Sequence, residues 1–513
     1  MPGLIGYDPR KMIDTVATAL PGKTESQASP DLSPAAKAAL SENISPAYSP
    51  IVVAGLVRLV EWLVIAATGS AIYAVYVLPR NGFEWIYPAV IVMIATLGII
   101  AFQIADIYQI HAFQHPVERI ARLVLAWSAV FLIATSIFFF AKSGPLFSRI
   151  WLVAFYAMGL LALFVERGLL RMIVRRWIRH GRLIRRTAIV GCGERCATLI
   201  QAIQNNPGSD IHLVGIFDDR ADRSPATYGD IEKLGNVDDL VEFARRTRID
   251  LVIVSLPITA EQRILQMLEK LWVLPLDIRL AAHINKLRFR PRSYSYIGGI
   301  PVLDIFDRPL MDWDVMMKWL FDKIVGSLVL VAALPLMGAI ALAIKLDSRG
   351  PVLFRQKRYG FNNDLIEVYK FRSLYTDQCD ARAARLVTAG DPRVTRVGRF
   401  IRKTSLDELP QLFNVVVKGN LSLVGPRPHA LDAKAEARRY DEAVDGYFAR
   451  HRVKPGVTGW AQINGWRGET DTLEKIQKRV EHDLYYIENW SLLLDIYIVA
   501  MTPFALMKTG NVY

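Results

Sequence analysis

The sequence predicts a membrane protein of mixed class, membrane α plus α/β: four transmembrane helices, then a cytoplasmic α/β domain, then a C-terminal domain entered through a proline-kinked apolar helix. Three observations predict it. Four apolar runs of membrane-spanning length lie before residue 171, a strand–glycine–helix rhythm starts at Thr187, and a fifth apolar run carries Pro335 at its middle. The bulk numbers agree, because 513 residues call for two or three modules and a 52% hydrophobic composition puts some of them in lipid.

Residues 1–48 are rich in Ser, Pro, Ala and charge without a helical or alternating period, and read as a disordered cytoplasmic tail. The region 49–180 is then the four-helix membrane part. Its runs Ile51–Leu78, Trp85–Ile104, Leu123–Ala141 and Ile150–Leu170 are each close to the roughly 20 residues that cross a bilayer. Arg58 and Glu61 lie three apart in the first run and are expected to pair on one helix face.

Orientation follows from the basic residues. Arg119 and Arg122 flank the second loop, and Arg167, Arg171, Arg175, Arg176, Arg179, Arg182, Arg185 and Arg186 follow the fourth run, so both termini are expected in the cytoplasm. The formal charge of +13 suits either nucleic acid or an anionic membrane surface. The position of the arginine run selects membrane lipid headgroups, with no nucleic-acid partner. Cys192, Cys196 and Cys379 are too few and too ill-spaced for a disulfide framework or a zinc site, and are expected as small buried hydrophobes.

Residues 181–305 read as a Rossmann-like domain of regulatory or assembly role. The strand ending in Gly191-x-Gly193 and the later Asp218-Asp219 match part of a dinucleotide fingerprint, with Cys196 in place of the third glycine. Two readings stand: Gly191, Gly193 and Asp218 bind a nucleotide, or the glycines only shape the turn. A dehydrogenase or epimerase is disfavoured, because no Tyr-x-x-x-Lys pair stands beside the incomplete fingerprint.

The fifth run, 324–345, is flanked by bases on both sides: Lys318 and Lys323 before it, Lys345, Arg349, Arg355, Lys357 and Arg358 after it. Symmetric flanks and a central Pro335 predict a re-entrant helix that returns to its own face, the alternative being a kinked crossing. Only the former keeps residues 350–513 in the cytoplasm.

The chemistry concentrates in the last third. Thr404-Ser405-Leu406-Asp407-Glu408-Leu409-Pro410 sets two carboxylates together, and Gly425-Pro426-Arg427-Pro428 follows with an arginine fixed between prolines. Adjacent acids can divide nucleophile and metal-ligand work, while a fixed guanidinium suits phosphate. Ser405 and Glu408 also match a capping box, but Pro410 argues for a helix that starts at Asp407, whose dipole would favour the ionised carboxylate. Lys370, Arg372, Arg399 and Arg402 supply cations upstream. For Arg355, Lys357 and Arg358, contact with lipid headgroups is an equal alternative.

With Lys370-Phe371-Arg372-Ser373 upstream and Lys454-Pro455-Gly456-Val457-Thr458-Gly459-Trp460 downstream, this segment resembles the bacterial polyprenyl-phosphate sugar-phosphate transferases, the monotopic phosphoglycosyltransferases. The resemblance covers 316–513 and implies a catalytic domain there. It implies transfer of a hexose 1-phosphate, glucose above other sugars, from a UDP-sugar to undecaprenyl phosphate, with Mg2+ as metal. Asp407 would be the covalent nucleophile and Glu408 its partner, both near the metal, with Lys370, Arg372, Arg402 and Arg427 on the substrate. Trp466 stands where the family carries an arginine, so a substrate contact there is not expected; Arg467 is next.

Trp460 is expected to pack on the hairpin, and Asp471 and Asp483 to lie near the site or on solvated helix faces. The implied setting is the cytoplasmic side of the bacterial inner membrane, in exopolysaccharide or capsule synthesis, with a homodimer possible through the Rossmann-like domain. A reading of another class is a non-catalytic, nucleotide-sensing membrane regulator.

Overall fold

A computed structural model describes residues 32–507, except 41–47, 106, 109–115, 141–147, 192–195, 206–210, 221–226, 229–230, 258–259, 282–294, 298–299, 377–390, 430–433, 436–437, 441–443, 445–446 and 469–471. Among the described residues, five helices are long and apolar enough to cross a membrane. The first runs Pro50–Ile72 and continues through a wide turn, Tyr73–Val77, to Asn81; the next three are Ile86–Ile104, Pro116–Phe140 and Arg149–Arg179. Length and apolarity make the chain membrane-associated.

Small residues let these helices close on large rings. A Cβ on Gly69 would stand 2.7 Å from Phe155, and one on Gly159 would stand 2.6 Å from Trp127. Buried indoles find acceptors, Trp127 Nε1 donating to the Tyr156 carbonyl at 3.0 Å. The expected Arg58–Glu61 pair does not form. Glu61 is fully buried and pairs across the bundle with Arg167 and with the Tyr108 hydroxyl, while Arg58 lies over the Tyr108 ring at 4.9 Å. A partner on another helix neutralises the buried carboxylate and joins the first and fourth of these apolar helices, which a pair within one helix would not.

The Rossmann-like sheet contains β1 (Arg185–Val190), β2 (Ile211–Phe217), β3 (Thr227–Tyr228), β4 (Ile231–Gly235), β5 (Leu251–Val254), β6 (Asp277–Ala281), β7 (Ser295–Ile297) and β8 (Ile300–Phe306), in the order β3-β4-β2-β1-β5-β6-β8-β7. The strands β4-β2-β1-β5-β6 are parallel, and β3, β7 and β8 add antiparallel edges. Period-2 alternation serves two cores. Ala188, Val190, Val252 and Val254 face one, with helix Val237–Arg246, whereas Ile189, Leu251 and Ile253 face the other, with helix Cys196–Gln204.

Cys196 is buried there as expected but is also disulfide-bonded, a cross-link that the cysteine count did not suggest. Part of the expected tail is ordered too. Helix Pro34–Leu40 puts Ala36 into the first of these cores, and Ser33 Oγ donates to the Leu234 carbonyl at 2.6 Å. Leu32 and Ala36 buried in that core, together with this long-range bond, hold a segment whose own composition lacks a clear period.

Helix Asp312–Asp347 is longer than the expected 324–345 and is helical throughout, including Pro335, which cannot donate to the Val331 carbonyl. Charged residues in its first turns lie on the C-terminal domain. Lys318 Nζ donates to the Val424 carbonyl at 2.9 Å and to Asp495 Oδ2 at 2.6 Å, and Asp322 accepts from Ser422 Oγ at 2.9 Å and Leu423 N at 3.0 Å. Its last turn lies on the same domain: Asp347 Oδ2 accepts from Val397 N at 3.0 Å, and Ile340 and Ile344 share a core with Ile401, Leu412 and Val424. A straight helix would hold residues 322 and 347 about 37 Å apart. Near its start, Ser49 Oγ donates to Asp312 Oδ1 at 2.5 Å, which ties this domain to the start of the first apolar helix.

Candidate active site

Two strands, Leu353–Tyr359 and Leu365–Phe371, pair antiparallel and lead to the site. Alternation directs Arg355 and Lys357 outward to solvent and Gln356 and Arg358 inward. Helix Arg396–Lys403 follows, capped by Thr395 Oγ1, which accepts from Gly398 N at 2.9 Å. Only glycine fits at 398, since a Cβ would stand 2.1 Å from the Ser373 carbonyl oxygen. The helix stops where Ser405 takes a left-handed conformation at φ 57°, a position usually given to glycine.

That conformation overturns both expected helix starts. Ser405 makes no capping bond, and its hydroxyl instead accepts from Arg467. Leu406–Glu408 form a separate 3-10 turn, and Pro410 caps a new short helix, Gln411–Phe413. The two acids therefore sit at a corner between helices, presented by a tight turn.

Glu408 is fully engaged. Arg427 Nη2 donates to Oε1 at 2.5 Å and Nη1 to Oε2 at 3.1 Å, while Lys370 Nζ donates to Oε1 at 2.8 Å. Burial alone would raise its pKa, but the charges of Arg427 and Lys370 outweigh it and hold the carboxyl well below the usual range. In return Glu408 raises the pKa of Arg427.

Asp407 is different. Its carboxylate takes no hydrogen bond from a described residue, its side chain is 9% exposed as a residue, and burial pushes its pKa up to about 6, with Glu408 adding to the rise and Lys370, Arg402 and Arg427 opposing it. The expected dipole effect loses to desolvation, because a single 3-10 turn has little dipole to offer. One carboxylate is thus locked as an anion, and its neighbour titrates at about 6 with no hydrogen-bond donor among the described residues.

The Arg427 turn is held by backbone. Strand Ser422–Val424 pairs with Gly456–Thr458, Gly425 N donates to the Thr458 carbonyl and Gly456 N to the Pro426 carbonyl, both at 2.9 Å. A Cβ on Gly456 would stand 2.1 Å from Gly425 N, so the Lys454–Gly459 motif is explained by this close approach. Arg358 is not a headgroup contact: it donates to Gln356 Oε1 at 2.6 Å and to the Pro428 carbonyl at 2.9 Å, and burial lowers its pKa to about 10.

The structure thus brings together Asp407, Glu408, Lys370 and Arg427, with the charge of Arg402 felt at Asp407. Arg372 is elsewhere. It is 2% exposed and donates to the Ser348 carbonyl at 2.8 Å and to Thr376 Oγ1 at 2.6 Å, since it lies just past the strand's last residue, Phe371, where the alternation no longer directs it. Arg467 takes a place not expected of it: its guanidinium donates to the Ser405 hydroxyl, two residues before Asp407, and burial and Arg427 lower its pKa while Glu408 and Asp407 raise it. Its position two residues after Gly465 was the available signal.

Asp483 is not on a solvated face but 2% exposed and paired with Arg450 at 2.5 Å. Asp471 lies outside the described residues. Trp460 packs on the C-terminal helices, stacked on Tyr485 at 5.7 Å between centroids.

In the Rossmann-like domain, Gly193 lies outside the described residues. Gly191 has φ 75°, and a Cβ there would stand 2.8 Å from Leu256, so the turn alone accounts for the glycine. Asp218 is 2% exposed and accepts from Arg220 N at 3.1 Å.

Residues 313–509 match the bacterial sugar transferase family, and residues 103–282 match a family described as a CoA-binding domain. The chain is 37% identical to the UDP-glucose:undecaprenyl-phosphate glucose-1-phosphate transferase of Escherichia coli over 83% of its own length and 90% of that protein's. The chain belongs to the bacterial sugar transferases. This transferase is also 44% identical to the undecaprenyl-phosphate glucose phosphotransferase of Komagataeibacter xylinus, over 66% of this chain and 62% of that one. Against the exopolysaccharide production protein PSS of Rhizobium leguminosarum it is 44% identical over 39% of this chain and 98% of that one.

The donor set of the transferase bears on Mg2+. Among the described residues no group of three or more His, Cys, Asp or Glu is placed to hold a metal. Mg2+ commonly uses one or two carboxylates and completes its shell with water and substrate phosphate. Asp407, whose carboxylate accepts no hydrogen bond from a described residue, fits that role. Glu408 is the more engaged of the two, with Arg427 on both oxygens and Lys370 on Oε1.

Proposed function

We propose that this transferase moves glucose 1-phosphate from UDP-glucose to undecaprenyl phosphate and releases UMP, the step that starts an exopolysaccharide or capsule repeat unit. The observation that carries the reading is the asymmetry of the two acids. Among the described residues nothing donates to the Asp407 carboxylate, whereas the charge of Glu408 beside it is already matched by Lys370 and Arg427.

In the first step an Asp407 Oδ attacks the phosphorus that bears the sugar, and the bond from that phosphorus to the UMP oxygen breaks. Glu408 holds Lys370 and Arg427 facing the diphosphate, where they stabilise the charge that develops on the leaving UMP. Arg467 and Arg402 add cations on the Asp407 side. In the second step a phosphate oxygen of the lipid attacks the same phosphorus, forms the lipid diphosphate sugar and frees Asp407. Mg2+, held by Asp407 with substrate oxygens, would withdraw charge from the diphosphate.

The catalytic domain works at the cytoplasmic face of the bacterial inner membrane. In support, Lys318 and Asp322 near one end of the apolar helix and Asp347 at the other bind one and the same domain, the arrangement expected of a helix that returns to its own face. The side follows from the arginine-rich end of the fourth span, where Arg175, Arg176 and Arg179 are exposed.

Detergent-solubilised protein with Mg2+, undecaprenyl phosphate and a panel of UDP-sugars tests the reading. UMP release that favours UDP-glucose, and a radiolabelled sugar-phosphate adduct on the protein that Asp407→Asn abolishes, are the expected results. Silence of folded wild-type protein with every donor would overturn it.

A further inference from the structure

Behind the Pro426–Pro428 turn lies a second charged group that the reaction does not touch. Arg450 stands on the 3-10 helix Tyr447–Arg452, and its side chain has 0% exposure. Its Nη2 donates to the Arg427 carbonyl at 2.8 Å and to Asp483 Oδ2 at 2.5 Å, and its Nη1 donates to His429 Nδ1 at 2.6 Å. A guanidinium only donates, so Nδ1 is the acceptor, and burial together with Arg450 keeps His429 neutral. Asp483 comes from a third element, helix Leu473–Glu488, and its side chain is 3% exposed.

The carbonyl of Arg427 is the informative partner. Prolines at 426 and 428 fix their own φ angles and confine Arg427 between them to extended backbone, so what remains is a tilt of the Arg427–Pro428 peptide, which sets where the Arg427 carbonyl points. Arg450 holds that carbonyl, and Arg358 holds the next, of Pro428, at 2.9 Å. A buried guanidinium needs a carboxylate, and Asp483 supplies it in a fixed fork geometry.

We propose that Arg450, anchored by Asp483, is a positioning residue that sets the angle at which Arg427 meets Glu408 and the substrate diphosphate. The inference rests on the functional reading above. It gives a role to two residues that touch neither substrate nor reacting atoms.

The test uses full-length Arg450→Lys and Asp483→Asn, each alone and combined with Arg427→Ala, in a radiolabelled transfer assay. Each single variant is expected to lose about 10- to 100-fold in kcat, with KM for UDP-glucose within about threefold of wild type. In the Arg427→Ala background neither is expected to lower the rate further, since the group they position is gone. Unchanged kcat, or a full multiplicative loss on top of Arg427→Ala, would overturn the proposal. Should Arg450→Lys fail to fold, Asp483→Asn decides the matter, because the amide keeps an acceptor oxygen. A silent wild-type enzyme would overturn the functional reading and this inference with it, whereas active wild type with active variants sinks the inference alone.

Discussion

Arg427 meets Glu408 with both arms of its guanidinium, Nη2 to Oε1 at 2.5 Å and Nη1 to Oε2 at 3.1 Å, and Lys370 shares Oε1 at 2.8 Å. The carboxylate is a scaffold for two cations. Glu408→Gln removes the charge that aligns them and is expected to lower UMP release by on the order of 100-fold. Arg427→Lys keeps the charge but not the fork, and is expected to cost about tenfold. Steady-state kinetics check both, and rates within twofold of wild type would show that the fork is not used.

The pKa of Asp407 gives a pH dependence. Burial raises it to about 6 from an ordinary 3.8, so the first step, which needs the ionised carboxylate, should speed up as pH rises through about 6 and level off above. The stability effect has the opposite sign. A carboxyl with a raised folded pKa is protonated more readily in the folded state, so stability falls as pH rises from the unfolded pKa to the folded one. At pH 8 Asp407→Asn should therefore raise Tm slightly while abolishing transfer. A fall in Tm would contradict this.

Lys318 and Asp495 form a buried pair at 2.6 Å, with Asp495 also accepting from the Tyr486 hydroxyl at 2.7 Å. Removing one partner leaves a buried charge. Lys318→Met is expected to destabilise the domain by about 3 kcal/mol, and adding Asp495→Leu to recover much of it. Thermal unfolding of the three proteins in one detergent measures this, and equal Tm values for Lys318→Met and wild type would refute it.

The two anchored ends of helix Asp312–Asp347 make a topological prediction. A C-terminal reporter that is active only in the cytoplasm should be active when fused after Tyr513, and one that needs the periplasm should be silent. The reverse pattern would mean a fifth crossing.

In the bundle, Arg167 neutralises Glu61 from the fourth span. Arg167→Leu is expected to lower the yield of folded protein severalfold, and Arg167→Leu with Glu61→Gln to restore most of it. Fluorescence-detected size exclusion reads the folded yield, and full yield from Arg167→Leu alone would show that the pair does not matter.

Some of this protein was determined by sequence alone, because it depends on local properties. Span length, the β-strand alternation from Thr187, and the adjacency of Asp407 and Glu408 to a proline-bound arginine are all set by neighbours in the chain. Tertiary structure decided which cation serves which acid. Arg372 lies two residues from Lys370, yet it turns to the Ser348 carbonyl, while Arg467, 62 residues past Ser405, reaches its hydroxyl. Likewise Glu61 prefers Arg167 on another helix to Arg58 on its own, and Asp483 lies buried against Arg450. Such pairings depend on how elements far apart in sequence pack and how much water they exclude; burial sets the pKa of Asp407 in the same way, against the local helix-end expectation.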